Sequence, residues 1–130
     1  MKHLLPEGWP KPKGYSNGIS VENGKTLYVA GLIGWNKDGK FESDTLVGQL
    51  RTTLKNTLAV LAEGGAGPEH VVRMTWYVTD KQEYKNNLKE IGKIYRDIMG
   101  KHYPAMACVE VKSLMEDEAK IEIETTAVKV

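Results

Sequence analysis

Residues 71–79 read VVRMTWYVT and form the clearest predicted β-strand of the chain. Successive side chains of a strand point to opposite faces of a sheet. One face of this strand is apolar and carries Val72, Met74, Trp76 and Val78. The other face is mixed and carries Val71, Arg73, Thr75 and Tyr77. The stretch therefore predicts a sheet with one face toward a core and a second face of mixed character.

Two further strands are predicted on each side of this stretch. Upstream, Ile19–Glu22 and Thr26–Leu32 flank Asn23-Gly24. That dipeptide predicts a hairpin, because both of its residues accept the positive φ angles of a tight turn. Downstream, Ala105–Val111 and Ala119–Val128 are predicted to be the last two strands of the sheet.

Two helices are predicted between the strands. The first is expected to begin near a capping residue, Ser43 or Asp44, and carries leucines spaced by four and three along one stripe. The second is expected to begin at Asp80, with Glu83 completing a capping-box-like pair. Glycine readily takes the left-handed conformation that ends a helix. The two helices are therefore expected to end at Gly64-Gly65 and at Gly100.

The element order ββαβαββ predicts an α+β fold, with one mixed sheet and two helices on one face. The helix-facing side is expected to carry Trp76, Val109, Val111, Ile121 and Ile123. The opposite side is expected to carry Arg73, Thr75, Tyr77, Met106, Cys108, Glu110, Glu122 and Glu124. This second set is too apolar for free solvent and too charged for a core. We therefore expect this face to lie against another subunit.

Bulk composition narrows the class of protein. The 130 residues predict a single domain over 1–130, in which residues 1–14 are an irregular lead-in. The net charge is +1 and basic residues are scattered among acids, so we expect neither a nucleic-acid nor a membrane partner. The only cysteine is Cys108, and the N-terminus lacks the apolar core of a signal peptide, so a cytoplasmic location is expected. The three histidines are isolated, so no metal site is predicted.

Several short strings carry a resemblance that covers the chain from about Gly14 to Val128. They are Gly14-Tyr15-Ser16, Val29-Ala30-Gly31, Val78-Thr79-Asp80, PAMACVEV at 104–111 and IEIE at 121–124. In this order and spacing they resemble the reactive intermediate deaminase (Rid, YjgF-like) family, also called endoribonuclease L-PSP-like. PAMACVEV is the most specific of the five strings.

The resemblance implies a chorismate-mutase-like (YjgF-like) fold and a homotrimer that binds a small molecule in a cleft at each subunit interface. It implies no metal and no organic cofactor. The activity it implies is hydrolysis of reactive enamines and imines, such as 2-aminoacrylate, to a 2-keto acid and ammonia. We therefore predict an imine or enamine deaminase-like hydrolase. The alternatives are a metabolite-binding or regulatory trimer without turnover and a protein-protective, chaperone-like module.

The resemblance also assigns site residues. Glu122 matches a glutamate proposed to orient the attacking water and take its proton, which is general-base chemistry. Tyr15 matches a tyrosine that lines the cleft. Cys108 matches a cysteine that lies near the cleft and is not needed as a nucleophile. Gly31 ends the second strand beside the expected cleft, and Trp35 follows in the loop as a possible aromatic lid.

Three positions depart from the family pattern. Met106 stands where members that hydrolyse imino acids carry an arginine for the substrate carboxylate, and a thioether cannot replace a bidentate guanidinium. Ala30 stands where a hydroxyl residue is common, and Lys89 stands where an asparagine is common. We therefore expect a less acidic, more apolar or aromatic ligand, or one whose carboxylate is held by another cation such as Arg73 or Lys89.

Each assigned residue also has a purely structural interpretation. Glu122 can be an ion-pair partner of Arg73 or of a lysine. Tyr15 can be a half-buried aromatic at the start of a strand, and Met106 can serve interface packing alone. Trp35 can anchor its own loop instead of covering a cleft.

Overall fold

The computed structural model describes residues 1–130, which form six strands and three α-helices. The strands are β1 (Lys2–His3), β2 (Ile19–Ser20), β3 (Lys25–Ile33), β4 (Val71–Val78), β5 (Ala105–Glu110) and β6 (Ile121–Lys129). The helices are α1 (Leu46–Glu63), α2 (Lys81–Asn86) and α3 (Leu88–Met99), with a 3-10 turn at Pro68–His70. None of the helices combines the length and the apolar character needed to cross a membrane.

A four-stranded mixed sheet organises the fold, with the strand order β3-β6-β4-β5. Strand β6 pairs antiparallel with both β3 and β4, whereas β4 and β5 run parallel. A parallel pair needs a crossover connection, and α2 and α3 supply it between β4 and β5. The predicted α+β fold with a mixed sheet is confirmed.

The hydrophobic core lies between one face of this sheet and the helices. Helix α1 buries Leu46, Leu50, Leu54 and Leu61, which belong to the predicted stripe. The sheet buries Met74, Trp76 and Val78 from β4 and Ile121 and Ile123 from β6 against them. Full burial of a leucine or isoleucine side chain stabilises a fold by roughly 1.5–3 kcal/mol relative to exposure. The opposite sheet face carries no helix and is called the open face below.

Helix α1 begins slightly later than the sequence predicted. Its capping residue is Thr45, whose hydroxyl accepts a hydrogen bond from the Gly48 N–H at 3.0 Å. The two predicted caps, Ser43 and Asp44, therefore lie just outside the helix. Ser43 instead supports the cap, because its hydroxyl accepts from the Thr45 N–H at 3.1 Å. The end of α1 at Gly64 is confirmed.

The second predicted helix is two helices, α2 and α3, separated at Asn87. The Asn87 side chain donates to the Glu83 carbonyl at 2.7 Å and so takes an acceptor that a continuous helix needs for its backbone. Asp80 caps α2 as predicted, by accepting from the Glu83 N–H. The capping-box role of Glu83 was wrong, because its carboxylate accepts from the Leu46 N–H at 2.9 Å and pairs with Lys120 at 3.2 Å. It satisfies a free N–H at the start of α1 instead.

The predicted N-terminal hairpin was also wrong. Asn23 and Gly24 have the expected positive φ angles of 62° and 113°. Strand β2, however, pairs with β1, while β3 takes β6 as its partner. Residues 1–14 are therefore not irregular throughout, because Lys2–His3 form the partner strand that β2 needs.

The two faces of β5 are the reverse of the prediction. The parallel register sets Met106 beside Met74 and Cys108 beside Trp76, and paired residues of a sheet share a face. Met106 and Cys108 thus lie on the helix side. Glu110 lies there too, where its carboxylate accepts from the Lys81 N–H at 2.7 Å. Val109 is on the open face, 42% exposed, and Val111 lies beyond the end of the strand.

Candidate functional site

A pocket of about 440 Å³ opens between β4, β5 and the helices α2 and α3. Its floor is formed by Trp76, Met106 and Cys108 from the sheet. Tyr84 and Leu88 belong to its helical wall. Nine of its 13 lining residues are hydrophobic, so the pocket suits an apolar ligand body. The floor also holds one unused donor, because the buried indole Nε1 of Trp76 has no hydrogen-bond partner within the chain.

Tyr15 forms part of the pocket rim, as the resemblance implied. Its position is set by its neighbour Ser16, whose N–H donates to the Pro104 carbonyl at 2.9 Å. Ser16 also forms an isolated parallel bridge with Ala105, at the start of β5. The backbone that carries Tyr15 is therefore held against the strand that carries Met106 and Cys108.

The thiol of Cys108 is not activated. Its apolar surroundings raise its pKa, although a hydrogen bond with the Tyr84 hydroxyl acts in the opposite direction. Burial in the same wall raises the pKa of Tyr84 to about 12. The attacking form of a cysteine is the thiolate, and a raised pKa leaves less of it at neutral pH. This arrangement agrees with a cysteine that contacts a ligand without acting as a nucleophile.

Glu122 lies on the open face, as predicted. Its neighbours Ile121 and Ile123 are fully buried on the helix side and set the register of β6. The half-buried carboxylate of Glu122 makes no hydrogen bond and no ion pair within the chain. Arg73 is therefore not its partner.

Gly31 gives the Glu122 carboxylate its space. A Cβ atom placed on Gly31 would lie 2.9 Å from the carboxyl carbon of Glu122. Any larger residue at this position would push the carboxylate away. Ala30 is exposed beside Gly31 on β3. The open face thus presents an unpaired carboxylate in a notch between β3 and β6.

The neighbouring carboxylate on β6, that of Glu124, already has a hydrogen-bond partner. Glu124 accepts a hydrogen bond from the Tyr77 hydroxyl at 2.7 Å, and this bond raises the pKa of Tyr77. Of the two open-face glutamates, Glu122 is the one that has no partner.

The prediction that Glu122 shares a face with Met106 and Cys108 was wrong. The sheet itself separates the carboxylate from the pocket, because β5 presents its even-numbered residues to the helices and β6 presents its odd-numbered residues to them. Within a single chain, these groups therefore do not line the same cavity.

Two other predicted site residues lie outside the pocket. Trp35 packs on Phe41 with ring centroids 6.1 Å apart, and its carbonyl accepts from the Asn56 side chain at 3.0 Å. These contacts match the interpretation of Trp35 as an anchor of its own loop. Lys89 is exposed on α3 and does not line the pocket. Its neighbour Leu88 does, because consecutive helical residues point about 100° apart.

The sequence interpretation missed two cations at the pocket. Arg96 on α3 and Lys13 in the N-terminal segment both line it, and no carboxylate does. Leu88, Gly92 and Arg96 are spaced by four along α3 and so form one helical face toward the pocket. This spacing in the sequence could have indicated that Arg96 lies on the same helical face as Leu88.

Comparison with known proteins identifies the family. Residues 10–129 match the family model described as Endoribonuclease L-PSP. A RutC family protein of Aquifex aeolicus is 38% identical, over 99% of this chain and 100% of its own length. The crystal structure of the Rid family protein YyfB from Yersinia pestis, of unknown function, has a TM-score of 0.87 at 32% identity, with 98% of each chain covered.

A third relative carries a functional name. The Escherichia coli protein named "Putative reactive intermediate deaminase TdcF" is 29% identical over 84% of this chain and 83% of its own. Its structure with bound serine has a TM-score of 0.70, at 27% identity and with 100% of both chains covered. From the family-model match, the relatives at more than 30% identity and the shared fold, the chain belongs to the endoribonuclease L-PSP family, which includes the RutC and Rid proteins.

Proposed function

We propose that the protein hydrolyses a reactive imine or enamine in a cleft formed between two copies of the chain. The observation that carries the proposal is the unpaired carboxylate of Glu122, held in the notch beside Gly31 on the open face. The pocket over Met106 and Cys108 lies on the other side of the sheet. If the open face of one chain lies against the pocket of a second chain, the Glu122 carboxylate and the pocket line one cleft.

The chemistry proposed for this cleft is a simple addition and elimination. An enamine first takes a proton on carbon and loses one from nitrogen, which converts it to an imine. Water then adds to the imine carbon while the Glu122 carboxylate accepts a proton from that water. The nitrogen takes that proton back from Glu122 and then the proton of the new hydroxyl group, the carbon–nitrogen bond breaks, and ammonia leaves as the carbonyl forms. No group on the protein forms a covalent bond, which agrees with the raised pKa of Cys108.

Two features support the reaction class. The TdcF relative is named as a deaminase of reactive intermediates, and its structure was determined with serine bound. In this chain, Gly31 and Glu122 lie together on the open face, and Tyr15 and Cys108 lie together at the pocket. The residues that the family resemblance assigned to one cleft thus form two clusters on opposite faces of the sheet, and a single chain does not bring the clusters together.

The proposed assembly is a homotrimer in which the open face is covered. This face exposes Tyr28 by 82% and Val109 by 42%, beside the charged Arg73 and Glu124. Tyr28 lies on the edge strand β3 and Val109 on the opposite edge strand β5, so exposed apolar side chains flank the charged centre of this face. Large apolar side chains exposed on a face that no helix covers favour an interaction site. Light scattering at micromolar concentration is expected to give three times the chain mass of 14.5 kDa. A monomer at that concentration would contradict both the assembly and the shared cleft.

The Met106→Arg variant tests how the pocket selects its substrate. Met106 cannot form the bidentate contact that an arginine forms with a carboxylate. Wild type is therefore expected to hydrolyse 2-aminoacrylate slowly, and the variant is expected to hydrolyse it about ten times faster or more, since a hydrogen bond to a charged group contributes roughly 1.5–3 kcal/mol. The measurement is the initial rate of pyruvate formation above the spontaneous rate. Met106→Leu serves as the control that changes the thioether without adding charge, and an unchanged rate for Met106→Arg would contradict this account of selectivity.

A second candidate function is binding of a metabolite without turnover. The presence of Met106 at the position of the carboxylate-binding arginine favours it, because a site without the clamp can retain an apolar ligand and no longer orient an imino acid. Under this alternative, ligands bind the trimer but the rate of imine hydrolysis equals the spontaneous rate. Measurement of binding and product formation on the same preparation distinguishes the two functions.

A further inference from the structure

We propose that Arg96 binds the anionic group of a ligand whose aromatic or branched apolar body fills the pocket over Met106. The inference deepens the proposed function, on which it rests for the identity of the ligand as a substrate. In family members with an arginine at the position of Met106, the sheet binds the ligand's charge. In this chain helix α3 would bind it instead. The ligand class is therefore a carboxylate with a large apolar side group, instead of a three-carbon imino acid.

The pocket itself argues for a large apolar group. Its volume of about 440 Å³ lies within the range of sites that hold drug-sized ligands. Met106 and Trp76 provide an apolar floor, and Leu88 provides part of the wall. The rings of Tyr95 and Tyr103, stacked with centroids 5.4 Å apart, add a flat aromatic surface. Leu88 is 53% exposed, and a three-carbon ligand would leave it in contact with water.

Gly92, one turn earlier in α3, has no side chain and so leaves space for Arg96 at the pocket. A Cβ atom placed on Gly92 would lie 3.2 Å from Nη1 of Arg96. The guanidinium of this exposed residue therefore lies over Gly92, within the helical face that lines the pocket.

Arg96 has no ion-pair partner within the chain. The adjacent Asp97 is paired with Lys93 at 2.9 Å, and that hydrogen bond, helped by the charge of Arg96, lowers the pKa of the exposed Asp97. The second charged residue of the pocket, Lys13, is also a cation, and no carboxylate lines the cavity. Two cations without an ion-pair partner beside an apolar cavity favour an anionic ligand. Arginine is the residue best suited to grip its carboxylate, because its donors form a planar fork.

The test uses three probes and isothermal titration calorimetry on the assembled wild-type protein. Phenylpyruvate carries both the ring and the carboxylate, phenylacetone carries only the ring, and pyruvate carries only the small anion. Phenylpyruvate is expected to bind at least about ten times more tightly than either of the others, since one charge-assisted contact or one buried ring changes affinity by about that factor.

The variant Arg96→Gln is expected to weaken phenylpyruvate binding by about ten-fold or more, with little change for phenylacetone. Lys85→Gln is the matched control, because it removes an exposed cation from α2, the other helix of the pocket wall, outside the pocket lining, and is expected to change neither affinity. The proposal is overturned by an Arg96→Gln variant that binds phenylpyruvate like wild type. It is equally overturned by wild type that binds pyruvate as tightly as phenylpyruvate, or that does not bind phenylpyruvate at millimolar concentration.

The same titration separates this inference from the proposed function. Glu122→Gln is expected to bind phenylpyruvate like wild type, because Glu122 acts on water and not on the ligand carboxylate. Normal binding to wild type without any hydrolysis would contradict the proposed reaction and leave the Arg96 site intact. Hydrolysis that does not depend on Arg96 would contradict the Arg96 site and leave the reaction intact.

Discussion

Replacement of Glu122 by glutamine is expected to lower imine turnover by about 100-fold or more, the usual scale of general-base catalysis. Glutamine has the shape of glutamate but cannot take a proton from water. The Glu122 carboxylate has no ion-pair or hydrogen-bond partner within the chain, so the change removes no contact that holds the fold together. The trimer and the thermal melting temperature are therefore expected to stay as in wild type. The measurement is the rate of 2-keto acid release from an imine generated in place by an amino-acid oxidase.

Glu124→Gln is the matched control for this variant. Glu124 lies two residues further along β6 on the same face, and its carboxylate accepts from the Tyr77 hydroxyl at 2.7 Å. Its replacement is expected to lower stability slightly, by about 1 kcal/mol or less at this exposed site, and to leave turnover unchanged. If Glu122→Gln instead lowers the melting temperature while turnover survives, Glu122 is a structural partner and the proposed mechanism is wrong.

Both strands were predicted from the sequence, but the faces of β6 could be assigned and those of β5 could not. In β6, Ile121 and Ile123 alternate with Glu122 and Glu124, so burial of the isoleucines determines which face each residue occupies. In AMACVE, the sequence of β5, small or apolar residues occupy both sets of alternate positions. Only the register against β4 decides the faces of β5, and that pairing depends on residues some 30 positions away in the sequence.

The same distinction explains the errors in the N-terminal part and at Glu83. The local conformation at Asn23 and Gly24 was predicted correctly, because positive φ is a property of those residues. The choice of β1 as the partner of β2 is a long-range event with no local signal. The Glu83 carboxylate likewise bonds the N–H of Leu46, which is far away in the sequence.

The candidate site was predicted in its parts but not in its arrangement. Tyr15, Met106 and Cys108 do meet at one pocket, which the family resemblance implied. Glu122 was expected beside them and lies across the sheet, since its position depends on the face assigned to β5. Arg96 was missed because its location at the pocket depends on Gly92 and on the rotation of α3 against the sheet.

The shared cleft is tested most directly by mixing two inactive variants. Glu122→Gln disables the open face, and Cys108→Trp fills the pocket with a large ring, with Cys108→Ala as the control for loss of the thiol. The two chains are produced together with different affinity tags, and trimers that contain both chains are isolated and verified by native mass spectrometry. Each variant alone is expected to hydrolyse the imine of phenylpyruvate close to the spontaneous rate.

Every mixed trimer with cyclic symmetry contains one interface at which an intact open face meets an intact pocket. Mixed trimers are therefore expected to recover about one third of the wild-type rate, since a cyclic trimer has three interfaces of the head-to-tail kind. Mixed trimers that hydrolyse the imine no faster than the two parent variants would contradict the central claim that Glu122 of one chain acts on a ligand in the pocket of another.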